Sequence, residues 1–271
     1  IDSQAVDSIL LFLLEHKPSS LHLVVLTRSD PPLPLARFRA GNDMTELRAA
    51  DLRFSIAEST IYLNQLMGLS LGEEDIATLE TRTEGWIAGL HLAAVSLQGE
   101  KDTHQSPGSF GGTHRFVMDY LLEEVLVRQP RKVQDFLLNT AVLNRLTGAL
   151  CDVVTGQDGG QSTLEMLERA NLFITPLDNE RRWYRYHHLF GELLARRRER
   201  DDPDGCRELH MRAAAWWKEN GFRDQAIEHA IRAADHEWAA TMMEDHIDDM
   251  WQRGEGVRAW RWLSRLPEEV S

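Results

Sequence analysis

Cysteine is scarce in this sequence: Cys151 and Cys206 are its only two in 271 residues. They stand far apart, without the paired spacing of a disulfide framework or a zinc site. A reducing cytoplasm is the expected location. Long apolar runs are missing as well. The longest stretches, near Ile9 and Val24, are soon broken by polar residues, short of the roughly 18 that a spanning helix needs, so no membrane partner is expected. Positive charge is in deficit, with 30 Lys and Arg against 43 Asp and Glu and a net charge of −13. That balance opposes nonspecific attraction to nucleic acid, and DNA contact by these residues would need a local basic patch. No Gly-x-x-x-x-Gly-Lys-Ser/Thr occurs, so the amide cradle and lysine that hold nucleotide phosphates are not here. These residues are therefore not expected to form an enzyme, and Ser109 lacks the strand-turn-helix frame of a nucleophile elbow. The sequence opens on Ile1 with no charged-then-apolar export signal, and it reads as a piece of something longer.

What is present is a globular composition, 42% hydrophobic and 27% charged, long enough for two to four modules. Val6, Ile9, Leu10, Leu13 and Leu14 recur at helical spacing until Pro18. Leu21 to Thr27 is β-rich and apolar on both faces, as in a buried parallel strand. It runs into Thr27-Arg28-Ser29-Asp30 ahead of Pro31-Pro32-Leu33-Pro34, which puts polar groups at a strand's carboxyl end, where open α/β sheets bind ligands. Arg28 is a candidate ligand sensor whose donor fork suits a phosphate; a surface ion pair is the alternative.

From Ser55 to Leu97 the pattern is helical, with Ser55 and Glu58 spaced as a capping box and a break at Met67-Gly68-Leu69. Glu100 to Thr113 has the polar, glycine-containing composition of a linker. Phe116 to Arg128 and Val133 to Thr140 read as helices separated by Gln129-Pro130, and Leu164 to Ala170 as another. Leu172 to Leu177 and Trp183 to His187 are β-rich runs joined by the turn Asp178-Asn179-Glu180-Arg181. Helices followed by such a hairpin spell a winged helix. Beyond the mixed-charge run Arg196 to Asp204 the chain is helical, punctuated at Gly205, Asn220-Gly221, Asp235 and Gly254. Small residues at Ala213 to Ala215, Gly221, Ala226 to Ala234 and Ala239-Ala240 resemble the helix pairs of tetratricopeptide repeats.

The aromatic and histidine segment Trp183 to Phe190 is the most telling. His187 and His188, adjacent on an extended strand, face opposite sides and do not readily chelate one metal. A buried His187 is able to donate to a phosphate or a carbonyl, or to serve as a core histidine bonded to backbone. Arg196-Arg197-Arg198 is diluted by Glu199, Asp201 and Asp202, as at a solvated helix end. Trp216, Trp217, Trp251, Trp260 and Trp262 either line a groove or fill the space between repeat helices.

The chain resembles the MalT-like, LuxR-type transcription regulators of the signal-transducing ATPase class. Thr27 to Arg37 looks like the family's sensor segment, Arg48 to Phe54 like the start of its helical extension, and Thr83-Glu84-Gly85-Trp86-Ile87-Ala88-Gly89-Leu90 like the helix that approaches the adenine. Arg182 to Phe190 looks like the winged-helix motif whose histidine contacts the nucleotide diphosphate. This chain has Gly89-Leu90-His91 where relatives carry Gly-x-Pro, and His188 where related switches carry an acid. The resemblance implies a mainly α fold in four parts. Residues 1–50 would be the end of an α/β P-loop nucleotide domain and 51–112 a helical extension with linker. Residues 113–203 would be a winged helix, and 204–271 the start of a tetratricopeptide-like solenoid. It implies Thr27, Arg28, Gly89 and His187 as nucleotide-contacting residues, and a slow regulatory ATPase in the longer protein. There ATP or ADP with magnesium would bind, whereas no tight binding is expected of these residues alone. An inducer would dock on the repeats, the protein would self-associate, and DNA would be read by a domain beyond Ser271.

Overall fold

The computed structural model describes residues 4–18, 20–27, 30–99, 111–252 and 254–267. Helix α1 (Gln4–His16) forms where its periodicity places it, yet Ile9, Phe12 and Leu13 on it are exposed. The expected strand at Leu21 to Thr27 is not one. Its described residues join no sheet, and Leu26 is 93% exposed. A strand exists only as part of a hydrogen-bonded ladder, and among the described residues no other segment pairs with this one. Past the proline run lies a short helix, α2 (Leu35–Ala40), and Arg48 then ties this region together through ion pairs with Asp30 and Glu46.

The next unit opens with the capping box expected from its sequence. Ser55 Oγ accepts the Glu58 N–H at 3.3 Å, and the Glu58 carboxylate accepts the Ser55 N–H at 2.9 Å. Helix α3 (Ile56–Thr60) continues as a π-helical turn, Ile61–Leu66, and ends where Gly68 takes the left-handed φ of 68°. Helices α4 (Glu73–Thr83) and α5 (Ile87–Gly99) follow, and Leu63, Leu69, Ile76, Leu79, Leu90, Ala93 and Ala94 make a core of their own.

The winged helix is built from α6 (Gly111–Tyr120) with its π-helical continuation Leu121–Leu126, α7 (Arg131–Thr140), α8 (Gly148–Thr155) and α9 (Gly160–Arg169). The antiparallel hairpin β1 (Ile174–Pro176) and β2 (Tyr184–Tyr186) and then α10 (His188–Asp201) complete it. Ile174 pairs with Tyr186, Thr175 with Arg185 and Pro176 with Tyr184, and Leu146 adds a bridge to Tyr184. Helix α8 was hidden in the sequence because it is short and carries the β-branched pair Val153-Val154; Thr147 starts it by accepting the Leu150 N–H.

The mixed-charge run at Arg196 is the last turn of α10, the helix end that its composition suggests, held by i,i+4 pairs such as Arg197 with Asp201 and Arg198 with Asp202. Gly205, by contrast, is not a break. It lies in the first turn of α11 (Pro203–Glu219), donating its N–H to the Asp202 cap with Pro203 at the first helical position. Helices α12 (Arg223–Arg232), α13 (His236–Gln252) and α14 (Gly256–Leu263) then pack in succession, separated at Gly221, Asp235 and Gly254. One continuous core runs from Val117 through the winged helix to Trp262 and Leu266. Trp217 and Trp262 are buried in it, Trp216 is half-buried and Trp260 is exposed; the Trp251 side chain lies outside the described set.

Where α11 meets α12, His210 and His229 are both buried, with their Nδ1 atoms 2.8 Å apart. One ring donates and the other accepts, so at least the accepting imidazole is neutral. Burial pushes both below the usual 6.5, and for each the nearby Arg232 adds to the effect. As pH falls below about 6.5 the unfolded chain takes up protons that the folded pair refuses, so stability declines with acidification. Urea unfolding between pH 7 and 5 is expected to show that decline, with a slope approaching about 2.7 kcal/mol per pH unit if both rings contribute fully. A His229→Gln variant is expected to flatten it. An unchanged slope in that variant contradicts the assignment.

Candidate functional site

Side chains alternate across a strand, and this alternation makes the hairpin a bridge. Tyr184 and Tyr186 point into the winged-helix core, where the Tyr184 hydroxyl donates to Glu168 at 3.3 Å and the Tyr186 hydroxyl shares a 2.7 Å hydrogen bond with Thr140. Burial, reinforced by Glu168, pushes Tyr184 up to about 12. Trp183, Arg185 and His187 are spent elsewhere. Trp183 stacks on Trp217 of α11 with ring centres 5.7 Å apart and planes 7° off parallel. Arg185 and His187 both reach the turn between α4 and α5.

His187 is not on the strand proper but caps α10 with φ −57° and ψ 139°. It is only 6% exposed. Its Nε2 lies 2.8 Å from the Thr83 carbonyl oxygen, and since a carbonyl only accepts, Nε2 carries the proton and Nδ1 is bare. Nδ1 is buried and has no hydrogen-bond partner among the described residues. The ring sits edge-on to Trp86 and Phe173, at 6.2 and 5.7 Å. Burial pushes its pKa down against the opposing pull of Glu84, so the imidazole is neutral at neutral pH. His188 follows as the first residue of α10, exposed, so the two histidines part as the chain turns into the helix. No group of three or more metal-ligating side chains gathers among the described residues.

Beside Thr83, the carboxylate of Glu84 is 8% exposed and receives donors from three segments. Arg185 grips it with both arms at 2.7 and 2.8 Å, the His188 N–H donates at 3.0 Å, and Arg53 stands at 3.3 Å. Burial resists ionisation, but the Arg185 fork and the His188 N–H outweigh it and bring Glu84 down to about 2. Glu84 accepts a left-handed φ of 50° to do this, and Gly85 follows at 69°. A Cβ on Gly85 would fall 2.4 Å from the Phe54 carbonyl oxygen, because Phe54 N–H donates to Gly85 at 2.9 Å across the same gap.

Of the residues singled out in the sequence, His187 and Gly89 come to this seam. Gly89 is buried in α5, where a Cβ would meet the Trp86 ring at 2.7 Å, so its smallness seats Trp86 next to His187. Thr27 lies exposed in the irregular segment before Asp30, and Arg28 falls outside the described residues. The acceptors Thr83 and Glu84 were not read as partners of His187 and Arg185. Their motif was visible, but a pairing across about a hundred residues leaves no local signal.

A winged helix joined to a preceding helical unit through a buried carboxylate, the His187–Thr83 hydrogen bond and the Trp86 ring is what these observations define. Residues 122–206 match the MalT winged helix domain. The MalT transcriptional regulator of Vibrio cholerae is 33% identical over 94% of this chain, and that of Klebsiella pneumoniae 31% identical over 98%. The serine/threonine-protein kinase PknK of Mycobacterium tuberculosis is 33% identical over 96% of it. By these matches the chain is a MalT-like segment. It spans 23% to 30% of the length of those relatives, and one stretch is thus shared by proteins named for different outputs.

Replacing Gly85 by alanine imposes both a left-handed backbone on a Cβ and a collision with backbone. The variant is expected to lose about 2–4 kcal/mol in urea unfolding. A loss under about 0.5 kcal/mol contradicts the geometry of this turn.

Proposed function

We propose that this chain is the signalling portion of an ATP-dependent transcriptional regulator, coupling nucleotide state and inducer sensing to oligomerisation and DNA binding. The observation that carries the reading is the state of His187. A neutral imidazole has one N–H, and here it is committed to the Thr83 carbonyl while Nδ1 stays bare and buried. A phosphoryl oxygen brought to this seam competes for that one donor, so a bound diphosphate changes how the helical extension and winged helix are joined. In this reading Thr27 and Arg28 face the terminal phosphate, and Gly89 keeps α5 close to the base. The phosphate loop and magnesium carboxylates belong to residues outside this chain. An inducer, small molecule or protein, engages the helices after 204, and a further domain reads DNA.

Two other readings are less well supported. Direct DNA binding by the winged helix needs a basic recognition helix, but Arg169 of α9 is paired with Glu165 of the same helix, and Glu168 of that helix pairs with Arg181. A helical scaffold with no nucleotide role is favoured only if His187 proves to be a core residue and nothing more.

Retention of ADP by the longer protein tests this. His187→Ala is expected to release ADP about tenfold or more faster, the weight of one hydrogen bond to a charged group. Unchanged retention returns His187 to the scaffold reading. For the 271-residue chain alone, calorimetry is expected to find no submicromolar ADP affinity, and finding it would overturn the assignment of the main phosphate grip to other residues.

A further inference from the structure

The donors gathered on Glu84 are unusual company for a carboxylate that serves only as a strut. Two guanidinium groups, Arg53 and Arg185, converge on it together with the first backbone N–H of the 14-residue helix α10. At that helix end the unpaired amides and the dipole favour negative charge. Next to it His187, 94% buried by its 6% exposure, keeps an Nδ1 with no partner among the described residues. Arginine forks, a helix N-terminus and an imidazole are the donor types with which proteins hold phosphoryl groups. The chain's net charge of −13 supplies no diffuse attraction for anions, so a site here must work by local donors.

We propose that Glu84 is an internal stand-in for a phosphoryl group, and that carboxylate and phosphate compete for one set of donors. This rests on the nucleotide-responsive reading of the seam and adds what the ligand displaces. Closed on Glu84, the seam is in its phosphate-free arrangement. A carboxylate offers one charge and two oxygens, and its two oxygens are already shared among Arg185, Arg53 and the His188 N–H. A pyrophosphate group offers more of both, enough to hold the two forks and also to favour a proton on His187 Nδ1, which then becomes a second imidazole donor. The exchange moves no covalent bond. Its consequence is that a bound phosphoryl group frees the α4–α5 turn from the winged helix.

The test uses the 271-residue chain and inorganic pyrophosphate at constant ionic strength. Glu84→Ala is expected to lower the melting temperature by roughly 5–10 °C, the consequence of leaving Arg185, Arg53 and the His188 N–H without their shared acceptor. About 5 mM pyrophosphate is then expected to restore at least about half of the loss while shifting the unmodified chain by less than about 1 °C. Acetate should restore less, and adding Arg185→Ala should abolish the effect. In the rescued variant the His187 imidazole is expected to titrate at higher pH by NMR. The proposal is overturned by equal shifts in the variant and the unmodified chain, by rescue that survives Arg185→Ala, or by acetate acting as well as pyrophosphate. If Glu84→Ala does not fold, Glu84→Gln carries the same comparison, since it keeps an acceptor for the His188 N–H but no charge. Failure here with accelerated ADP release in His187→Ala sinks only the competition with Glu84. The converse result sinks the nucleotide reading and leaves a phosphate site.

Discussion

The charged contacts at the seam converge on one buried carboxylate. Glu84 collects Arg185, Arg53 and the His188 N–H, and it does so from a left-handed turn that only the absence of a side chain at Gly85 allows to close against Phe54. Removing a partner from a fully buried pair typically costs about 3–5 kcal/mol, and here the cost is reduced because Arg185 is 28% exposed. The two units have separate buried cores, one from Leu63 to Ala94 and one from Val117 to Leu266, and Trp86, just before α5, and Leu92 on it pack against the second. To that apolar packing the seam adds the polar contact at Glu84, the kind that an anionic ligand is able to rewrite.

The hairpin gives that contact its reach. Along β2 the even residues anchor the strand in the winged-helix core, through Tyr184 to Glu168 and Tyr186 to Thr140. The odd residues point outward in two directions, Trp183 to Trp217 of α11 and Arg185 to Glu84. With its tyrosines fixed, the strand places both contacts on one short segment, so α11 and the α4–α5 turn meet the same strand.

Much of this fold is written locally. The capping box at Ser55, the break at Gly68, the hairpin around Asp178 and the winged helix all follow from periodicity and turn chemistry that a short window contains. What failed depended on partners elsewhere. Leu21 to Thr27 has the composition of a strand but no ladder among the described residues, and Gly205 resembles a break until the Asp202 cap and Pro203 make it part of a helix start. His187 was legible as a residue of interest but not as a donor to Thr83, and Glu84 was passed over, since contacts 104 and 101 residues apart are set by tertiary packing alone.

The account stands on the claim that Glu84 and Arg185 couple the helical extension to the winged helix. A double-mutant cycle with Glu84→Gln and Arg185→Met, read by urea unfolding of the whole chain at neutral pH, measures that coupling directly. The account predicts an interaction energy of about 1–3 kcal/mol. Additive losses, with a coupling below about 0.3 kcal/mol, would show that the clamp does not hold the seam.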